Sequence, residues 1–266
     1  MYWLKMYLRF LAMYFKQQLE YRFQFFGDIF VNMLIYISTY LGFWVIFTRF
    51  EILDGWTFYE LLFLYNMNLL TYAISSAFFW GPMKELENTV RRGDFDLFLT
   101  KPIPPLRLLV LRQFGHTFIA HVILAIIVFV ICFRNLELHW SFANVLFFLS
   151  VIVGATFIHS ALIIIAASCA FWVVRSTAIV DMTIYAVRNF INYPISIYAR
   201  GVQFVLTFII PYAFVNYFPS TVLFGKEASF GTSALAFGTP VFGIVLFILS
   251  VYIFYFGVRR YESTGT

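Results

Sequence analysis

Residues 81–112 read GPMKELENTVRRGDFDLFLTKPIPPLRLLVLR, a charged interruption between two long apolar runs. They hold six of the chain's eighteen Lys and Arg residues. Met83, Leu86 and Val90 recur at helical spacing, with Lys84, Glu87, Asn88 and Arg91 between them, the pattern of a short amphipathic helix over 82–92. Glu87 lies four residues before Arg91, where opposite charges support a helix. Arg91 and Arg92 suit the negative end of the helix dipole, and Gly93 behind them is a left-handed terminator. The apolar strip Phe95, Leu97, Phe98, Leu99 then runs into Lys-Pro-Ile-Pro-Pro. Such a stretch between two greasy runs reads as a docking surface. Met83, Leu86 and Val90 suit either a partner or the chain's own helices, and Glu85, Arg91, Arg92 and Asp94 favour a partner.

Outward from it the chain is lipid-soluble: 62% of its 266 residues are hydrophobic, 22% aromatic and only 12% charged. Soluble domains carry about 25% charged residues, so the fold class is an all-α integral membrane protein, one transmembrane domain over 1–266. Six apolar runs are long enough for the ~30 Å hydrocarbon layer: about 28–48, 57–80, 113–133, 142–172, 201–224 and 234–257. The fourth exceeds what a bilayer needs, and the fifth is interrupted by Pro211 and Pro219, which predicts a kink or a partly inserted, reentrant segment. Before the first run, residues 1–24 place Lys5, Arg9, Lys16 and Glu20 along one helical face and Trp3, Leu4, Leu8, Leu11 and Phe15 on another, a helix lying on the membrane surface. No cleavable leader pattern is present there.

Fifteen of the eighteen basic residues fall on one side of these runs, leaving Arg49, Arg134 and Lys226 on the other. The positive-inside rule then puts both termini and 81–112 in the cytoplasm. Between the fourth and fifth runs, RSTAIVDMTIYAVRNFINYPISIYAR (175–200) reads either as a cytoplasmic amphipathic helix over 176–191, with Asp181, Arg188 and Asn189 exposed, or as a segment re-entering the membrane. No internal repeat is convincing.

The chemistry is sparse. No G-x-x-x-x-G-K-[ST] loop occurs; Gly225-Lys226 lacks both the upstream glycine and the following hydroxyl. Cys132 and Cys169 are isolated, and His116, His121, His139 and His159 form no ligand set, so neither metal, cofactor nor catalytic site is expected, and scattered cations speak against nucleic acid. Spans one and two carry only Asp28 and Glu60 near their ends and spans five and six have no central charge, which weighs against a proton-coupled antiporter or a channel. Neutral polar groups sit at depth, among them Asn66, Asn68, Thr207 and Asn216; helix-to-helix hydrogen bonding outweighs cargo contact for these. Asn66 and Asn68, two apart, do not share a face. Asn66, Asn68, Pro211 and Asn216 are the candidate path residues.

With no energy-coupling residues, the driving force is expected from another subunit. Here GDFDLFLTKPIPPL (93–106), NYPISIY (192–198) and TFIIPYAFVNYFPSTVLFGK (207–226) resemble a bacterial branch of the permease subunits of type 2 ATP-binding cassette transporters. The likeness covers nearly the whole chain and carries no information about cargo. It implies an interfacial N-terminal helix, six spans, a coupling helix between spans two and three, and a reentrant segment between spans five and six. It also implies separate ATPase subunits gripping Met83, Lys84, Glu85, Leu86, Glu87, Val90, Arg91, Arg92, Gly93 and Asp94, and a second permease chain, alike or paralogous. Outward transport across the bacterial cytoplasmic membrane, with spans two and five lining the path, follows from the same likeness. A stand-alone secondary transporter or lipid scramblase stays open, and a membrane-embedded enzyme is disfavoured because Asp94 and Asp96 are the only close acidic pair at the interface.

Overall fold

The computed structural model describes residues 2–138, 140–173, 175–227, 235 and 237–262, with side chains at Arg9 and from Leu11 onward. His139, residue 234 and the side chains of Trp3, Leu4, Lys5 and Leu8 lie outside the described residues. The fold is helical: α1 (Tyr2–Glu20), α2 (Arg22–Phe47), α3 (Phe58–Arg91), α4 (Asp96–Leu99), α5 (Pro105–Arg112), α6 (Phe118–Asn135) and α7 (Phe142–Ser168). There follow α8 (Thr177–Asp181), α9 (Arg188–Phe190), α10 (Arg200–Phe204), α11 (Tyr217–Leu223) and α12 (Thr239–Arg260). Among the described residues five helices are long and apolar enough to cross a membrane, α2, α3, α6, α7 with its short extension to Phe171, and α12, and the bent pair Arg200–Ile209 and Tyr212–Leu223 makes a sixth if it is one span. The protein is a multi-pass membrane protein.

The central element is α3, buried along most of its length between α6 and α7. Its 34 residues extend about 51 Å at 1.5 Å per residue, far beyond the hydrocarbon thickness. The sequence predicts a span ending at 80 and a separate amphipathic helix over 82–92. The structure shows one continuous helix through Gly81 and Pro82, because a single missing N–H is tolerated where the surrounding packing holds the rod together. It stops where the glycine signal places the stop, with Arg92 as cap and Gly93 at φ +76°. At its opposite end the Thr57 amide donates to the Glu60 carboxylate at 2.7 Å, the reciprocal arrangement that starts a helix firmly.

Around α3, α2 is the most lipid-exposed helix, with Phe30, Leu34, Leu41 and Trp44 open to the outside. On α1, Leu11, Tyr14 and Phe15 turn inward and Lys16 and Glu20 outward; Phe15 packs edge-on against Phe25 and Phe114. The tightest pair is α7 with α12, in contact backbone to backbone at Gly154 and Gly243.

The largest departure from the sequence reading is between 175 and 224. The segment 177–191 (α8, a π-helical stretch over Met182–Val187, then α9) runs antiparallel to α3. The Thr177 amide and hydroxyl donate to Glu87 near the end of α3, Lys84 meets Asp181 at 3.4 Å, Arg188 stacks on Tyr72, and Asn68 donates to Asn192 at 3.1 Å. Arg188 is buried, not exposed as the amphipathic reading has it. The reason is the solvent: the outward face carries Ile179, Met182, Tyr185 and Phe190, which suit lipid, so the polar face turns inward. The 201–224 run, predicted as the fifth span, is a pair of helical arms, Arg200–Ile209 and Tyr212–Leu223, bent by 80°. The bend falls at Pro211, as the proline signal requires, and Tyr212 tucks inward, its hydroxyl donating to the Thr183 carbonyl at 3.2 Å.

Candidate functional site

The ten residues singled out between 83 and 94 divide into two groups. Met83 and Leu86 are buried in a cluster with Phe95, Phe98, Leu106, Leu109 and Phe254, and Val90 packs on its rim. They hold the end of α3 to the folded-back 95–112 segment and to α12. Lys84 lies 4.8 Å above the Trp80 ring and reaches Asp181. Glu87 is buried and accepts from the Thr177 amide, the Thr177 hydroxyl and, at 3.5 Å, the Ser176 hydroxyl. It caps the start of α8, and Arg91 bonds Asn88 at 3.1 Å instead of pairing with it. Burial pulls the Glu87 carboxyl upward, but the donors from Thr177 and Ser176, helped by nearby Arg91, outweigh it and hold the group below its ordinary value.

Glu85, Arg91, Arg92 and Asp94 are exposed. Beside them α4 offers Leu97 and Leu99 to the outside while Phe98 anchors inward. A cleft of about 270 Å³ lies between α3, α4 and α5, lined by Glu85, Thr89, Asp94, Leu97 and Arg112 among others. The arrangement is an apolar ridge with a charged rim on the end of the longest rigid helix. Gly93 makes the turn that places it. Because L side chains with φ near +76° are strained, Gly93→Val is expected to lower stability by about 1–2 kcal/mol and to shift α4. The check is a modest fall in melting temperature with unchanged membrane-fraction yield; loss of the membrane-inserted protein would show the turn to be needed for insertion itself.

The four path candidates also separate. Asn66 is fully engaged, donating to the Ala125 carbonyl and accepting from the Tyr40 hydroxyl, each at 2.8 Å, and so ties α2, α3 and α6 together. Asn68 donates to Asn192, and Asn216 donates to the carbonyls of Leu64 and Ile191 at 3.1 and 2.6 Å. The Oδ1 atoms of Asn68 and Asn216 are buried without a partner. Pro211 sits at the bend.

Sequence reasoning missed two features. One is Arg188, buried against Tyr72; the available signal was Tyr65 and Tyr72, seven apart on one face of α3. The other is the latch of Lys226, which meets Glu60 at 3.1 Å, lies 5.1 Å over the Trp56 ring and bonds the Gly55 carbonyl, fastening the end of α11 to the start of α3. Among the described residues no group of three or more His, Cys, Asp and Glu side chains is placed to hold a metal ion.

A family model described as ABC-2 family transporter protein matches residues 33–265. No curated protein and no solved structure matches the chain.

Proposed function

The chain belongs to the ABC-2 family of transporter proteins, and on that premise we propose that it is driven by separate ATPase subunits seated on the ridge of Glu85, Arg91, Arg92, Asp94 and Leu97, and exports its cargo. It is a permease subunit, a transmembrane component and not a catalyst. The observation that carries the coupling reading is that this charged, partly apolar ridge ends the one helix that runs through the centre of the fold. A push on the Arg91 end of a 34-residue rod moves every element packed along it, and the Glu87 cap and the Lys84–Asp181 pair pass the motion to 177–191.

In this reading 177–191 is the fifth crossing, and the bent pair around Pro211 is the reentrant element. Thirteen basic residues then lie on the side of the ridge, against Arg49, Arg134, Arg200 and Lys226, so the termini and ridge face the cytoplasm of a bacterial cell. A second permease chain, like or paralogous, completes the path. Asn68, Asn216 and the Pro211 bend line it, and Asn66 drops out because both ends of its amide are occupied.

The test is charge reversal on the ridge. Arg91→Glu combined with Arg92→Glu, and separately Leu97→Asp, are expected to cut ATPase co-purification and ATP-driven transport by roughly ten- to a hundredfold, with monodispersity retained because these side chains are exposed. Transport by the purified chain in liposomes without any ATPase would overturn the reading in favour of a stand-alone carrier or scramblase.

A further inference from the structure

Arg188 is 7% exposed, and its guanidinium carbon lies 3.7 Å from the centre of the Tyr72 ring. Its Nε and Nη1 are buried and have no hydrogen-bond partner. Among the described residues no carboxylate forms an ion pair with it. Asp181, on the same segment, faces Lys84, and Glu87 is held by Ser176 and Thr177. A buried cation is costly unless paired, and an aromatic face returns only part of that cost.

The neighbours sharpen the imbalance. His159, 1% exposed, has a buried Nε2 with no partner, and its ring lies 5.8 Å from Tyr72 and 5.4 Å from Tyr212. Two unpaired N–H groups of Arg188 and an unpaired ring nitrogen of His159 therefore collect in one aromatic surround. Tyr212 closes one side, and it belongs to the 80° bent pair, anchored there by its bond to Thr183. The π-helical stretch Met182–Val187 directly precedes Arg188, and such turns gather at functional positions.

We propose that Arg188 is an internal anion receptor that takes the acidic head, a carboxylate or a phosphate, of the amphiphile this chain carries. The aromatic surround takes the adjoining apolar part, and movement of the bent pair, with Tyr212, opens the site. The word cargo rests on the transport reading; anion binding at Arg188 does not.

The experiment therefore uses the purified full chain in nanodiscs of neutral phosphatidylcholine, without ATPase or nucleotide. Melting temperature is followed against octyl phosphate, octanoate and octyltrimethylammonium. At least one anionic probe is expected to raise it by about 5 °C near saturation, while the cationic probe leaves it unchanged; which anion acts identifies the head. Arg188→Met is expected to abolish the shift. Arg188→Lys, which keeps the charge and the fold, is expected to raise the half-saturating concentration at least about threefold, because the planar fork is lost. An equal response to the cation, an unchanged shift in Arg188→Met, or unchanged half-saturation in Arg188→Lys overturns the proposal. An Arg188-dependent shift in a chain that fails to couple to any ATPase keeps the receptor and removes only the transport reading.

Discussion

Gly243→Ala is expected to lower the melting temperature of the membrane domain by about 5 °C or more and to reduce the monodisperse yield sharply, while Gly27→Ala leaves both nearly unchanged. A Cβ built at Gly243 falls 2.1 Å from the Gly154 carbonyl oxygen, and one at Gly154 falls 2.6 Å from the Pro240 Cα. Both obstacles are backbone, so no rotamer change relieves them and the two helices must move apart. Apolar helices in lipid gain little from burial and associate through close packing, so separating them removes what joins α7 to α12. Overpacking in a filled interior costs about 1–3 kcal/mol and occasionally more, and each kcal/mol moves the melting temperature by about 2–4 °C in chains of similar size. Gly243, Ser250 and Gly257 are all buried on α12, and a Cβ at Gly257 would strike Phe171 at 2.4 Å, so the seven-residue spacing of small residues is the seam. A Cβ at Gly27 meets nothing within 4 Å, which makes it the control. Melting curves in detergent decide the matter; a wild-type value for Gly243→Ala would mean the helices are not joined along this seam.

Glu87→Gln is expected to separate 177–191 from the end of α3. The substitution removes a charge that accepts from Thr177 and Ser176 and puts an N–H₂ group among donors. Losing charged hydrogen bonds and leaving half-buried donors unpaired costs about 1–3 kcal/mol. Glu85→Gln, at an exposed position one turn boundary away, should stay within about 0.5 kcal/mol. The pH dependence gives the sign. The folded carboxyl lies below its ordinary value, so its contribution is complete above the usual carboxylate range and is lost as pH falls through the lowered folded value. The melting-temperature gap between wild type and Glu87→Gln should be full at about pH 6 and shrink toward about pH 3. A gap that stays constant over that range would show that the carboxylate charge is not what holds α8. If Glu87 also transmits motion from the ridge, ATP-driven transport should fall further in this variant than in Glu85→Gln.

Much of the fold is legible in the residues because each signal is local. Composition alone gives the membrane class. The runs at 28–48, 57–80 and 142–172 each coincide closely with a helix that the structure contains, the 113–133 run begins five residues before its helix at Phe118, and the end at Gly93 follows from a conformation that favours glycine. The division between Met83 and Leu86, which are buried, and Glu85 and Arg91, which are exposed, also follows from helical spacing. Lys84 and Glu87 illustrate where spacing stops helping: both sit on the polar side of that pattern, yet each is occupied by a residue about ninety or more positions later in the chain. A helical wheel has no information about such partners.

What the sequence determines by itself is therefore everything set by local geometry and by solubility: an all-helical membrane protein, a central charged stretch closed by Gly93, and a break at Pro211. Only the tertiary structure decides the course of residues 175–224. Hydropathy sums apolar side chains without knowing whether they face lipid or another helix, so it reads 201–224 as one run, whereas the structure bends it by 80° at Pro211. Hydropathy leaves 177–191 open between a surface helix and a membrane segment because Asp181 and Arg188 dilute that stretch. Asp181 meets Lys84 and Arg188 stacks on Tyr72, and those contacts exist only once α3 lies alongside.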